Sequence, residues 1–115
     1  MLNKVEGQYR QGDVIIVKVS ADENRMGTPI KRDKGRVILA FGEVTGHHHA
    51  IHNDDVNFFQ AAMESDITLG NRFLQVLKPA VLNHDEHASI DLPVGTYEVR
   101  IQREYTPEGL RNVAD

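Results

Sequence analysis

Four of the six histidines in this 115-residue chain fall within His47-His48-His49-Ala50-Ile51-His52, and the other two, His84 and His87, stand three apart in "NHDEHASI". Imidazole is the commonest protein ligand for transition metals. Cysteine is absent, so any metal must be held by imidazole, carboxylate or water. If "HHHAIH" is extended, alternation sends His47, His49 and Ile51 to one face and His48, Ala50 and His52 to the other. The His47/His49 pair then sits about 7 Å apart at Cα, close enough to share an ion if the rings lean together. In a helical turn His84 and His87 would share a side, with Asp85 and Glu86 as carboxylate ligands or as partners that orient the rings. The expected ligands are therefore His47, His49, His84 and His87. Three of them leave an open coordination position suited to catalysis, whereas all four close a structural site. Zinc is preferred to iron, because both suit His/carboxylate donors and no redox partner is evident.

Two other readings compete. The histidines could form a polar hairpin with no specific role, or a pH-sensing or interface element, since imidazole titrates near neutrality. Asp54 and Asp55 beside His52 are a candidate acid–base group, and Glu43 is a further candidate base. No G-x-S-x-G, Walker A or G-x-G-x-x-G pattern is present.

The elements that must position these groups read as strands. "DVIIVKV" and "RVILAF" are short β-branched runs bracketed by glycine or polar residues, as in buried strands. "TYEVRIQREY" alternates, with Tyr97, Val99 and Ile101 on a core face and Glu98, Arg100, Gln102 and Glu104 on a wet one. "VNFFQAAM" reads as strand or helix start, "DITLGN" as a turn, and "RFLQVLKPAVL" as strand up to Pro79. "DLPVG" is a turn into the last strand. "TPEGLRNVAD" predicts a short C-terminal helix, with Thr106 as cap and Pro107 in the first position. Residues 1–115 thus form one mainly β domain, a compact small barrel or sandwich. An exposed basic loop is expected over 20–35, because Arg25 to Arg36 carries five basic residues against the single acid Asp33.

Bulk composition narrows the function classes. Hydrophobic residues make up 40% and charged residues 26%, a globular composition. A net charge of −4 gives no electrostatic reason to expect nucleic acid. The longest apolar run, Val37 to Phe41, is far short of a membrane span, and the charged N-terminus lacks a signal-peptide core. The expectation is a protein of the cytoplasm of a bacterial cell or of a phage particle, with a homo-oligomer or an assembly partner as its company.

Two resemblances add to this. Gly42, His47, His49 and Asp54, followed by Pro93-x-Gly95, resemble a reduced cupin, with Tyr97 and Glu98 where that family carries a further histidine. The cupin resemblance implies a barrel and a metalloenzyme, with His84 or His87 substituting as ligand. "GEVTGHHHAI" with "HDEHASIDLPVGTYEVRIQREYTPEG" resembles a group of small uncharacterised bacterial and bacteriophage proteins. That resemblance implies such an origin and no activity. The leading expectation is a divalent-metal-binding domain; the alternatives are a phage structural or accessory assembly protein and a cupin-like metalloenzyme.

Overall fold

The computed structural model describes residues 7–41, 47–106 and 109–112. Two antiparallel sheets carry the fold. The larger contains β1 (Gln8–Gln11), β2 (Val14–Val19), β3 (Met26–Pro29), β6 (Val56–Ala61), β7 (Arg72–Val76) and β10 (Gly95–Ile101), in the spatial order β1-β2-β10-β7-β6-β3. The smaller contains β4 (Val37–Ala40), β5 (His49–Ile51), β8 (Ala80–Asn83) and β9 (Ile90–Leu92), in the order β4-β5-β8-β9. The sheets face one another as a sandwich and do not close into a barrel.

Period-two alternation sorts the side chains between them. Val14 and Ile16 of β2, Leu74 and Val76 of β7, Val56 and Phe58 of β6, and Tyr97 and Val99 of β10 form one wall of the core. Val37, Leu39, Ile51, Ala80, Leu82 and Leu92 form the other. Each large aliphatic side chain buried here contributes about 1.5–3 kcal/mol. Arg72 ties the walls together, its Nη2 donating to Leu39 O at 2.6 Å while its guanidinium lies over the Phe58 ring.

Tyr97 is fully buried, and its hydroxyl donates to Pro93 O at 2.6 Å across the β9–β10 turn. Burial pushes its phenol pKa up. Replacing Tyr97 with Phe is expected to lower the unfolding free energy by about 1 kcal/mol, the usual net value of one hydrogen bond, as read by urea denaturation.

Several local expectations are corrected. "DITLGN" lies largely within a helix, α1 (Glu64–Leu69), which Gly70 ends in the left-handed region at φ 76°, its N–H returning to Asp66 O and Ile67 O. Within the C-terminal segment read as a helix, β12 (Gly109–Asn112) pairs instead antiparallel with β11 (Arg103–Thr106), and residues 107–108 and 113–115 lie outside the described residues. Gly109, which weakens a helix, takes its place opposite Thr106 in that ladder. Within 20–35 lie a 3-10 turn, Glu23–Arg25, and β3, which joins the edge of the larger sheet. Gly27 of β3 has no room for a side chain, because a Cβ there would stand 3.0 Å from the carbonyl oxygens of Gln60 and Ala61.

Glu98, expected on a wet face, is 3% exposed. The outer face of β10 is covered at that point by the 3-10 turn and by α1. Arg25 donates to Asp66 through Nε and Nη2 at 3.1 and 2.9 Å, and to Glu98 Oε2 at 2.9 Å. Asn71 and Arg100 also donate to Glu98. Arg25 stacks 4.7 Å over the Phe73 ring, which gives this face a small apolar floor. Arg32 is likewise committed, donating to the carbonyls of Gly35, Asn53, Asp54 and Val56.

Candidate functional site

The open end of the sandwich is where the histidines gather. β1 and β2 turn through Gly12-Asp13, with Gly12 at φ 58°, so the tip presents Gln11 and Asp13 from either side of one glycine. β5 brings His49 in on the same side as Ile51, that is, into the space between the sheets, where it is fully buried. β8 ends at Asn83, and the bend that follows carries His84 and His87 back over His49. The His49 ring lies 4.3 Å from that of His84 and 6.1 Å from that of His87, and His84 and His87 are 4.6 Å apart, centre to centre. His47 is further out, 5.8 Å from His84. The structure thus brings together the rings of His47, His49, His84 and His87.

Hydrogen bonds assign the protons. The Gln11 amide nitrogen donates to Leu82 O and Ala88 O at 3.1 and 2.9 Å, which turns its oxygen toward His49 Nδ1 at 2.9 Å. An amide oxygen only accepts, so Nδ1 is the donor. In the neutral ring Nε2 then carries the lone pair, and it faces Asp13 Oδ1 at 3.3 Å. Two acceptor atoms this close in a dry site need a proton or a cation between them. His84 is set the opposite way. Its Nδ1 accepts from the amides of Glu86 and His87 at 3.0 and 3.2 Å, so the neutral ring holds its proton on Nε2. This side-chain-capped bend replaces the helical turn expected for "HDEH". Nε2 of His87 is buried with no hydrogen-bond partner among the described residues. His47 is part-exposed and stands 3.7 Å from Asp85 Oδ2 and 3.6 Å from Glu86 Oε1, a loose pairing at the rim.

As they stand, no three His, Asp or Glu side chains among the described residues converge on a point that could hold a metal ion. Gln11 and Asp13 are the members of this cluster that the sequence reading missed. Their one signal is a polar pair about a glycine just before "VIIVKV", the pattern of a hairpin tip.

A family model described as "Domain of unknown function (DUF8820)" matches residues 10–102. The chain belongs to that family. No curated protein and no solved structure matches it. The match agrees with the resemblance to a small uncharacterised group and carries no cupin relationship and no phage role. The matched span of the DUF8820 domain includes Gln11, Asp13 and all six histidines, so the whole cluster lies inside it.

The remaining candidates of the DUF8820 domain lie elsewhere. His48 and His52 project to the outer side of the smaller sheet, where they line a separate cleft with Arg36. Asp54 and Asp55 sit in the turn before β6, with Asp55 4.0 Å from the Lys78 ammonium. Glu43, with Gly42 of the cupin-like pattern, lies outside the described residues. Tyr97 and Glu98, at the cupin histidine position, are engaged by Pro93 and by Arg25, Asn71 and Arg100. No helix among the described residues is long and apolar enough to cross a membrane.

Proposed function

We propose that the domain binds one divalent cation, zinc in preference to iron, between His49 Nε2 and Asp13 Oδ1. The observation that carries this is the 3.3 Å approach of those two buried acceptors, with His49 Nδ1 already committed to Gln11. Two donors on a tetrahedral ion with bonds of about 2.0–2.1 Å stand roughly 3.3 Å apart, against about 2.9 Å for neighbouring octahedral positions. The Gln11 hydrogen bond is the kind of support that metal-bound imidazole ordinarily has. His87, whose buried Nε2 has no hydrogen-bond partner among the described residues, is the third ligand. His84 becomes the fourth once its Nδ1 releases the two backbone amides and takes the ring proton. His47 stays at the rim and tunes access. Such an ion joins the β1–β2 tip, β5 and the 84–87 bend, so its role is binding and cross-linking; no residue nearby is marked for catalysis.

Equilibrium dialysis with zinc, followed by elemental analysis, tests this. One equivalent is expected in the unaltered chain, with affinity weakened more than ~10-fold in Asp13→Ala and His49→Ala and far less in His47→Ala. Circular dichroism reports whether each variant is folded. Absence of stoichiometric zinc, or uptake that survives Asp13→Ala unchanged in a folded variant, overturns the site and leaves a proton as the bridge.

A further inference from the structure

The outer cleft of the smaller sheet makes no part of the proposed cation site except one wall. It encloses about 550 Å³, within the ~300–1,000 Å³ range of small-molecule sites. Its lining is a set of hydrogen-bond donors: Arg36, His48, His52, Asn83 and His84, with Ala50 as a small floor residue between the two β5-flanking histidines. Asp85 is the one acid among the described lining residues, and its carboxylate is largely exposed and lies 3.7 Å from His47 Nε2.

We propose that this cleft binds a small molecule through an oxyanion group, phosphoryl or carboxylate. Arg36 is the anchor. Its Nε donates to Asp33 O at 3.4 Å and its Nη2 forms a long ion pair with the part-exposed Asp33 carboxylate at 3.3 Å, contacts that orient the guanidinium, and Nη1 has no acceptor among the described residues. A planar guanidinium with donors to spare pairs with two oxygens of a phosphate or carboxylate. His48 supplies a second contact. Its ring is held edge-on against Phe41, centres 4.7 Å apart, and its Nδ1 is buried without a hydrogen-bond partner among the described residues. The ring borders the cleft, and an imidazole N–H donates readily to a bound oxygen.

The chemistry of the second described cavity sharpens the choice. That cavity, about 320 Å³, is lined by Ile30, Val37, Val56 and Phe58 beside Arg32. There the guanidinium is consumed by four backbone carbonyls, so nothing charged is left for a ligand. At Arg36, by contrast, a cation with donors to spare meets concave polar surface.

The inference does not need the metal. His84 forms the wall common to the cleft and the histidine cluster, so a bound oxyanion lies next to the proposed ion, but Arg36 and His48 hold it independently. The test therefore uses the full chain after chelator treatment. It is titrated at constant ionic strength with inorganic phosphate and, separately, with succinate, while imidazole ring resonances are followed by NMR. Saturable shifts at His48 and His52 are expected for at least one probe at or below about 10 mM, a weak but specific affinity. Response to phosphate alone assigns a phosphoryl group, to succinate alone a carboxylate, and to both the shared oxyanion. Arg36→Gln is expected to weaken binding at least tenfold, and His52→Ala, at an exposed position, less. No saturable shift with either probe overturns the proposal, as does binding of unchanged strength in a folded Arg36→Gln. If Arg36→Gln fails to fold, undiminished binding in a double His48→Ala, His52→Ala variant overturns it instead. Loss of zinc binding with anion binding intact would reject the metal reading alone.

Discussion

Replacing Arg25 with Leu should lower the free energy of unfolding by about 3 kcal/mol, the lower end of what breaking a buried ion pair from one side costs. Arg25 donates twice to Asp66 and once to Glu98, and both carboxylates are buried on the covered face of the larger sheet. Glu98 keeps Arg100 and Asn71 in the variant. Asp66 loses its cation and stays in its dry position at the head of α1. Arg25 itself is part-exposed, which holds the effect below that of a fully enclosed pair. Leucine retains some packing on Phe73, so the loss reports the charges rather than a cavity.

The same contact predicts a pH signature. Hydrogen bonding from Arg25 holds the Asp66 carboxyl below its usual range, against the opposing effect of its burial. A depressed carboxyl binds its proton more weakly in the folded chain than in the unfolded one. Its stabilisation is therefore present above the unfolded value, near 3.9, and is lost as pH falls through the folded value. Urea midpoints measured from pH 7 down to about 2 should fall at the acid end for the unaltered chain. Arg25→Leu should be lower at neutrality and flatter toward acid. Equal acid slopes in the two proteins would remove Arg25 as the cause.

Gln11→Leu should be damaging on the same scale, costing about 2–4 kcal/mol. One amide here serves three partners: Leu82 O, Ala88 O and the Nδ1–H of a fully buried histidine. Leucine fills comparable volume but satisfies none of them, and His49 Nδ1 is left without its acceptor. The change also releases the tautomer of His49. If the zinc site is as proposed, affinity should fall roughly 10- to 100-fold beyond any loss of fold, the usual result of removing support behind a ligand. Urea denaturation with and without zinc separates the two effects, because bound zinc stabilises in proportion to its affinity. A Gln11→Leu protein of unaltered stability would contradict the assigned hydrogen bonds.

These predictions fall on residues of unequal visibility. The strands beginning "VIIVKV", "VILA" and "TYEV" were legible because β-branched runs between glycines and polar clusters leave few alternatives to a buried strand. The facing of His49 with Ile51, and of His48 with His52, was legible for the same reason: alternation is a property of the extended backbone and holds wherever a strand forms. The tail was misread because a capping sequence is only a local preference, and four residues of ladder pairing outweigh it in β11 and β12. Glu98 was misread because alternation assigns a face but does not say whether another layer covers it.

Residue types and spacing determined that the chain is a β protein with imidazole on both faces of one short extended segment, residues 47–52. They also set the donor inventory, imidazole and carboxylate without thiolate. Only the tertiary structure decided that the two histidine segments meet, since they are joined by more than thirty residues whose path depends on sheet order. It also decided that Gln11 and Asp13, from the other end of the sequence, stand against His49, and that Arg36 shares a cleft with His48 and His52. Proton placement on His49 and His84 depends on the partners each ring finds across the fold, and spacing along a chain carries no information about those.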